Sequence, residues 1–106
     1  MFTTRRESVD RREELRKIAE RCVLVLKDKY KVKKVFLIGS LVTGFTHERS
    51  DIDLVVEGLS SDLYIKALTD LWDLLPTGVE LNLIPYEDAF ESLKEETLKE
   101  GELIYG

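Results

Sequence analysis

Two short apolar runs, VFLI from Val35 to Ile38 and DIDLVVEG from Asp51 to Gly58, flank the segment GSLVTGFTHERS. Both have the length and aliphatic content of buried strands. The second carries an anomaly, because Asp51 and Asp53 stand two residues apart in it. Asp is depleted in strands, and like charges on one strand face repel. Strand alternation turns both carboxylates to one face and Ile52 and Leu54 to the other. Two converging carboxylates make a hard, oxygen-rich site suited to Mg²⁺ or Mn²⁺, and a bound cation would remove the repulsion. Without a cation, the same pattern is an exposed amphipathic strand with two solvated Asp.

The rest of the chain supplies helices and further strands. Leu15, Ile18, Ala19, Cys22, Val23 and Leu26 follow the spacing of one apolar helix face. Cys22 falls among these core positions, so it reads as inert packing. SLVTGF suggests a short helix or turn, and THERS a polar loop. A second amphipathic helix follows SSD, with Tyr64, Leu68, Leu71, Trp72 and Leu75 toward the core and Pro76 as its stop. TGVELNLIPYED reads as a third strand with Pro85 near its end, residues 87–100 as a charged last helix, and GELIYG as a short closing strand. The order is α-β-(α)-β-α-β-α, an α/β fold with one small mixed sheet and helices packed against it.

At 106 residues the chain fits a single domain spanning 1–106. No apolar stretch approaches the roughly 20 residues that span a bilayer. The start, MFTTRRESVDRREELRK, lacks the apolar core of a secretory signal, so a cytoplasmic protein is expected. A single cysteine excludes an internal disulfide and a multi-Cys zinc site. The net charge of −5 argues against direct DNA binding by bulk electrostatics. The local basic clusters, Arg5, Arg6, Arg11, Arg12 and Lys31, Lys33, Lys34, read as solvated element ends. A polyanionic substrate therefore needs a metal ion or a local site to offset the charge.

Gly39-Ser40 follows a buried strand directly and precedes a helix-like turn. Gly permits close backbone approach to a ligand, free N–H groups at a helix start bind phosphate, and Ser40 adds a hydroxyl. Gly39 and Gly44 have the glycine spacing of a P-loop, but Phe45-Thr46 stands where that motif needs Lys-Ser/Thr. Ser40, His47 and Asp51 contain the residue types of a hydrolase triad, without the spacing of a nucleophile elbow. His47 and Arg49 suit either a phosphate contact or a solvated loop.

Taken together, GSLVTGFTHERSDIDLVVE resembles the signature of the DNA polymerase β-like nucleotidyltransferase superfamily: Gly-Ser on a strand-to-helix turn, a second Gly, a loop, then Asp-x-Asp on the next strand. The resemblance continues through VELNLIPYEDAF to LKEGELIYG and is to the minimal nucleotidyltransferase, or MNT, branch. It implies that Gly39 and Ser40 hold the nucleotide phosphates, and Arg49 and Ser50 are further candidates for nucleotide binding. It implies that Asp51 and Asp53 bind Mg²⁺ or Mn²⁺, and that a nucleoside monophosphate moves from a triphosphate such as ATP to an acceptor hydroxyl. Relatives usually carry a third carboxylate on the neighbouring strand. Here Asn82 occupies that catalytic position in Leu81-Asn82-Leu83-Ile84, with Glu80 two residues earlier on the same strand face. Asn can ligate a metal through its carbonyl oxygen but cannot serve as a base. Thr43 stands where many relatives have Arg.

No acceptor-binding module is evident, so an acceptor held by another protein is expected. The MNT branch is commonly paired with a HEPN-domain toxin as its antitoxin, which implies a hetero-oligomer and AMP transfer to the partner. The alternative is a catalytically impaired module that neutralises its partner by contact. Transfer to a small molecule is a third expectation.

Overall fold

The computed structural model describes residues 3–39 and 51–106. A long helix, α1 (Thr3–Tyr30), leads into β1 (Lys34–Ile38). After β2 (Asp51–Glu57) come a single 3₁₀ turn at Ser61–Leu63 and α2 (Tyr64–Trp72). Next are β3 (Glu80–Pro85), a second 3₁₀ turn at Tyr86–Asp88, α3 (Glu91–Glu100) and β4 (Glu102–Tyr105). The expected strands and helices are therefore present, including the closing strand. The expected turn at SLVTGF and loop at THERS lie outside the described residues. The last helix begins at Glu91 rather than at 87, because the chain leaving Pro85 first makes its 3₁₀ turn.

The four strands form one mixed sheet in the order β3-β2-β1-β4. β1 pairs antiparallel with both β2 and β4, whereas β2 and β3 run parallel through the α2 crossover. A parallel pair needs such a crossover, which the amphipathic α2 supplies. On one face, Val35, Leu37, Ile52, Leu54, Val56, Leu81 and Leu83 join the buried side of α1 in the main core. All six periodic positions of α1 from Leu15 to Leu26 are buried there, and burial pushes the Cys22 thiol up to about 11.

α2 keeps its expected face except at Trp72. Ala67 and Leu71 are its buried residues, flanked by partly buried Tyr64, Leu68, Leu74 and Leu75. Trp72 is 57% exposed, because it lies about 100° around the helix from Leu71 and past the edge of the buried stripe. The Tyr64 hydroxyl donates to the Leu83 carbonyl at 2.6 Å, tying the start of α2 to β3. Among the described residues, two ionic contacts tie α1 to its neighbours. Arg16 donates to both carboxylate oxygens of Glu102 on β4, at 2.5 and 3.2 Å, and holds that carboxyl below its usual range. Lys29 reaches Asp70 of α2 at 2.7 Å, and the Tyr30 hydroxyl also donates to that carboxylate.

Among the described residues, the second face of the sheet is covered only in part. Phe36, Ile38 and Val55 form a smaller cluster with Ile84, Tyr86 and Leu93 of α3. Where that cover stops, β2 carries Asp51 and Asp53.

Candidate active site

The burial pattern along β2 shows why two Asp are tolerated in a strand. Ile52, Leu54 and Val56 are buried on the α1/α2 side, while Asp51, Asp53 and Val55 share the other side. Val55 is fully buried in the α3 cluster, but Asp51 and Asp53 keep intermediate exposure. Their Cα atoms, two residues apart, are separated by about 6.5–7 Å in an extended strand.

Register brings other elements to this pair. Asp53 lies opposite Ile38, the last residue of β1, and beside Asn82 of β3. Asp51 lies beside Glu80. The four polar residues therefore occupy one patch on the open face, with Glu80 and Asn82 themselves exposed. Asn82 Nδ2 donates to Asp53 Oδ1 at 2.7 Å. An ionised carboxylate only accepts, so the amide must turn its nitrogen toward Asp53, and its carbonyl oxygen points elsewhere.

Gly39 closes the patch at the end of β1. Its φ of 86° lies in the left-handed region that favours glycine. A Cβ at this position would also collide with Asp53 Oδ2. The backbone conformation favours glycine here, and the turn brings the main chain against the carboxylate. Among the described residues, no three His, Cys, Asp or Glu side chains converge on a common metal position, so Glu80 does not complete a triad with the two Asp. The donor set that the structure brings together is Asp51 and Asp53. Two carboxylates sharing one strand face fit Mg²⁺, which commonly takes one or two carboxylates and completes its shell with water and phosphate oxygens.

Of the sequence-derived candidates, Gly39, Asp51, Asp53 and Asn82 are gathered in one place. Ser40, Arg49 and Ser50, together with Thr43, Gly44 and His47, lie outside the described residues. Strand alternation puts Glu80 and Asn82 on one face, but the Asn82–Asp53 hydrogen bond is not visible in the sequence. The nearest signal is the shared alternation of DID and ELN, which becomes a pairing once the two strands lie parallel. A separate cleft of about 250 Å³ between α1 and β4, lined by Arg16, Glu20, Leu37 and Ile104 among others, includes neither Asp.

Residues 20–106 match the family model described as polymerase beta nucleotidyltransferase. The chain belongs to this nucleotidyltransferase family. A Methanocaldococcus jannaschii relative named "Putative protein adenylyltransferase" is 32% identical over 97 residues, covering 87% of this chain and 94% of its own. Among solved structures, the nucleotidyltransferase resembles a chain of a toxin–antitoxin with AMP-PNP, with a TM-score of 0.67 and 23% identity over 82% of this chain and 73% of the other. It also resembles a chain of the toxin–antitoxin MntA–HepT, with a TM-score of 0.55 and 17% identity over 91% and 70%. At these identities the two likenesses establish a common fold. No helix among the described residues is long and apolar enough to cross a membrane.

Proposed function

We propose that this nucleotidyltransferase moves AMP from ATP to a hydroxyl group of a partner protein and acts as the antitoxin of a HEPN/MNT pair. The observation that carries the transfer reading is the placement of Asp51 and Asp53 on the open face of β2, with Asp53 against the Gly39 turn. The name of the Methanocaldococcus jannaschii relative supports a protein acceptor. The toxin–antitoxin neighbours, one of them with AMP-PNP, support the pairing and the adenine nucleotide.

In this reading Asp51 and Asp53 would hold Mg²⁺ or Mn²⁺, and Gly39, Ser40, Arg49 and Ser50 would bind the nucleotide. An ion held by Asp51 and Asp53 would supply charge neutralisation for the triphosphate and would lower the pKa of the acceptor hydroxyl. The acceptor oxygen forms a bond to the α-phosphorus as the bond to the bridging oxygen breaks, and pyrophosphate departs. The chain's own contribution is positional. The two carboxylates stand on a strand buried on its opposite face, so they are held rigidly with respect to the Gly39 turn. Asn82 cannot take the acceptor proton, so that proton must pass to another base: a carboxylate of the patch, phosphate or water.

The test is incubation of the purified protein with Mg²⁺ and ATP labelled at the α-phosphate, in a lysate of its source cells, beside Asp51→Asn. Label on a protein band with the wild type alone is the expected result. Label on RNA or on a small molecule would retain transfer and discard the protein acceptor. With the acceptor shown to be present, absence of label would favour a module that restrains its partner by contact. In that case Asp51→Asn would still protect cells.

A further inference from the structure

Asn82 places a hydrogen-bond donor among three carboxylates, Asp51, Asp53 and Glu80. Asp51 faces Glu80 across the β2–β3 ladder and has Asp53 along its own strand. Neighbouring strands lie about 4.8 Å apart, so an Asp at 82 would make a two-by-two array of carboxylates. Asn82 instead gives Asp53 Oδ1 an N–H at 2.7 Å, a separation typical of a charge-assisted bond. The other oxygen, Oδ2, lies where a side chain on residue 39 would have stood. The two oxygens of one carboxylate thus have different surroundings: Oδ1 is tethered, and Oδ2 is turned to the Gly39 backbone.

We infer that Asn82 is a positioning residue, which tethers Asp53 through Oδ1 so that Oδ2 is the oxygen held against the Gly39 turn to ligate the divalent ion. The inference rests on the reading of Asp51 and Asp53 as metal ligands. Asn82 acts through Asp53 rather than on the nucleotide or the ion. A carboxylate that is free to rotate must be ordered when the ion binds, whereas the tethered one is ordered beforehand. Partners of this kind typically change metal affinity by about 10–100-fold when removed.

The experiment is titration of the full chain with Mn²⁺ alone, free ion being read by electron paramagnetic resonance. Wild type, Asn82→Leu, Asn82→Gln and Asp51→Asn are compared, with circular dichroism confirming that each is folded. Asn82→Leu keeps a similar volume without the donor and should bind Mn²⁺ about tenfold more weakly. Asn82→Gln keeps the amide on a longer arm and should recover most of that loss. Without metal, the side-chain amide protons of Asn82 should show the shifted NMR resonance of a carboxylate-bound amide, lost in Asp53→Asn. Wild-type binding that depends on Asp51 but is unchanged in Asn82→Leu overturns the role of Asn82 alone. A wild type that takes up no Mn²⁺ instead overturns the ligand reading of the Asp pair, and the positioning role with it.

Discussion

On the α1/α2 side of the sheet, Val35, Leu37, Ile52, Leu54, Val56, Leu81 and Leu83 make a continuous buried layer. On the opposite side, the same strands bury only Phe36, Ile38 and Val55, then leave Asp51, Asp53, Glu80 and Asn82 beyond the reach of the α3 cluster. The first face stabilises the fold by removing apolar area from water. The second is left polar at one end, where like charges add nothing to stability. The difference teaches that β2 is a single strand doing two jobs, separated by the period of two: its even-numbered residues anchor it, and the odd-numbered Asp51 and Asp53 are displayed by that anchorage.

The sharpest way to break this comparison is to exchange costs between the faces. Leu54→Ala, at a fully buried position, should destabilise the protein by about 2–5 kcal/mol in urea unfolding, through lost burial and a cavity. A change below about 1 kcal/mol would mean that the layer under α1 and α2 is loosely packed. Gly39→Ala should cost less, about 1–2 kcal/mol, from the left-handed φ. Its functional effect should be larger, because the new Cβ would collide with Asp53 Oδ2 and the carboxylate must shift. Loss of nucleotidyl transfer and of the shifted Asn82 amide resonance would report that movement.

The smallest effect on stability is expected at Asp51. In the absence of divalent ions, Asp51→Asn should leave the unfolding midpoint unchanged or raise stability by a few tenths of a kcal/mol, since it removes one of two like charges on a strand face. The same substitution should abolish label transfer. A destabilisation above about 1 kcal/mol would instead make Asp51 a structural residue, and the contrast between the faces would fail.

Much of the architecture was legible because it is written in local periods. The 3–4 spacing from Leu15 to Leu26 marked the buried side of α1, and all six residues are buried. The alternation in DIDLVVE marked which residues of β2 would be covered. Trp72 shows where such reading fails: helical spacing places a residue near a stripe, but the width of the stripe is set by what packs against it. Here Ala67 and Leu71 meet the core and Trp72 overshoots it.

By itself, the sequence determined the elements, the glycine that ends β1 and the two carboxylates sharing one face of β2, since each follows from backbone sterics or from a repeat of a few residues. Only the tertiary structure decided the neighbours. It set β2 antiparallel to β1 and parallel to β3, stopped the α3 cover short of Asp53, and joined Asp53 to Asn82 across 29 positions of sequence. Register between distant strands is chosen by the burial of whole faces at once, because slipping it by one residue would turn Ile52 and Leu54 to water and the carboxylates into the core.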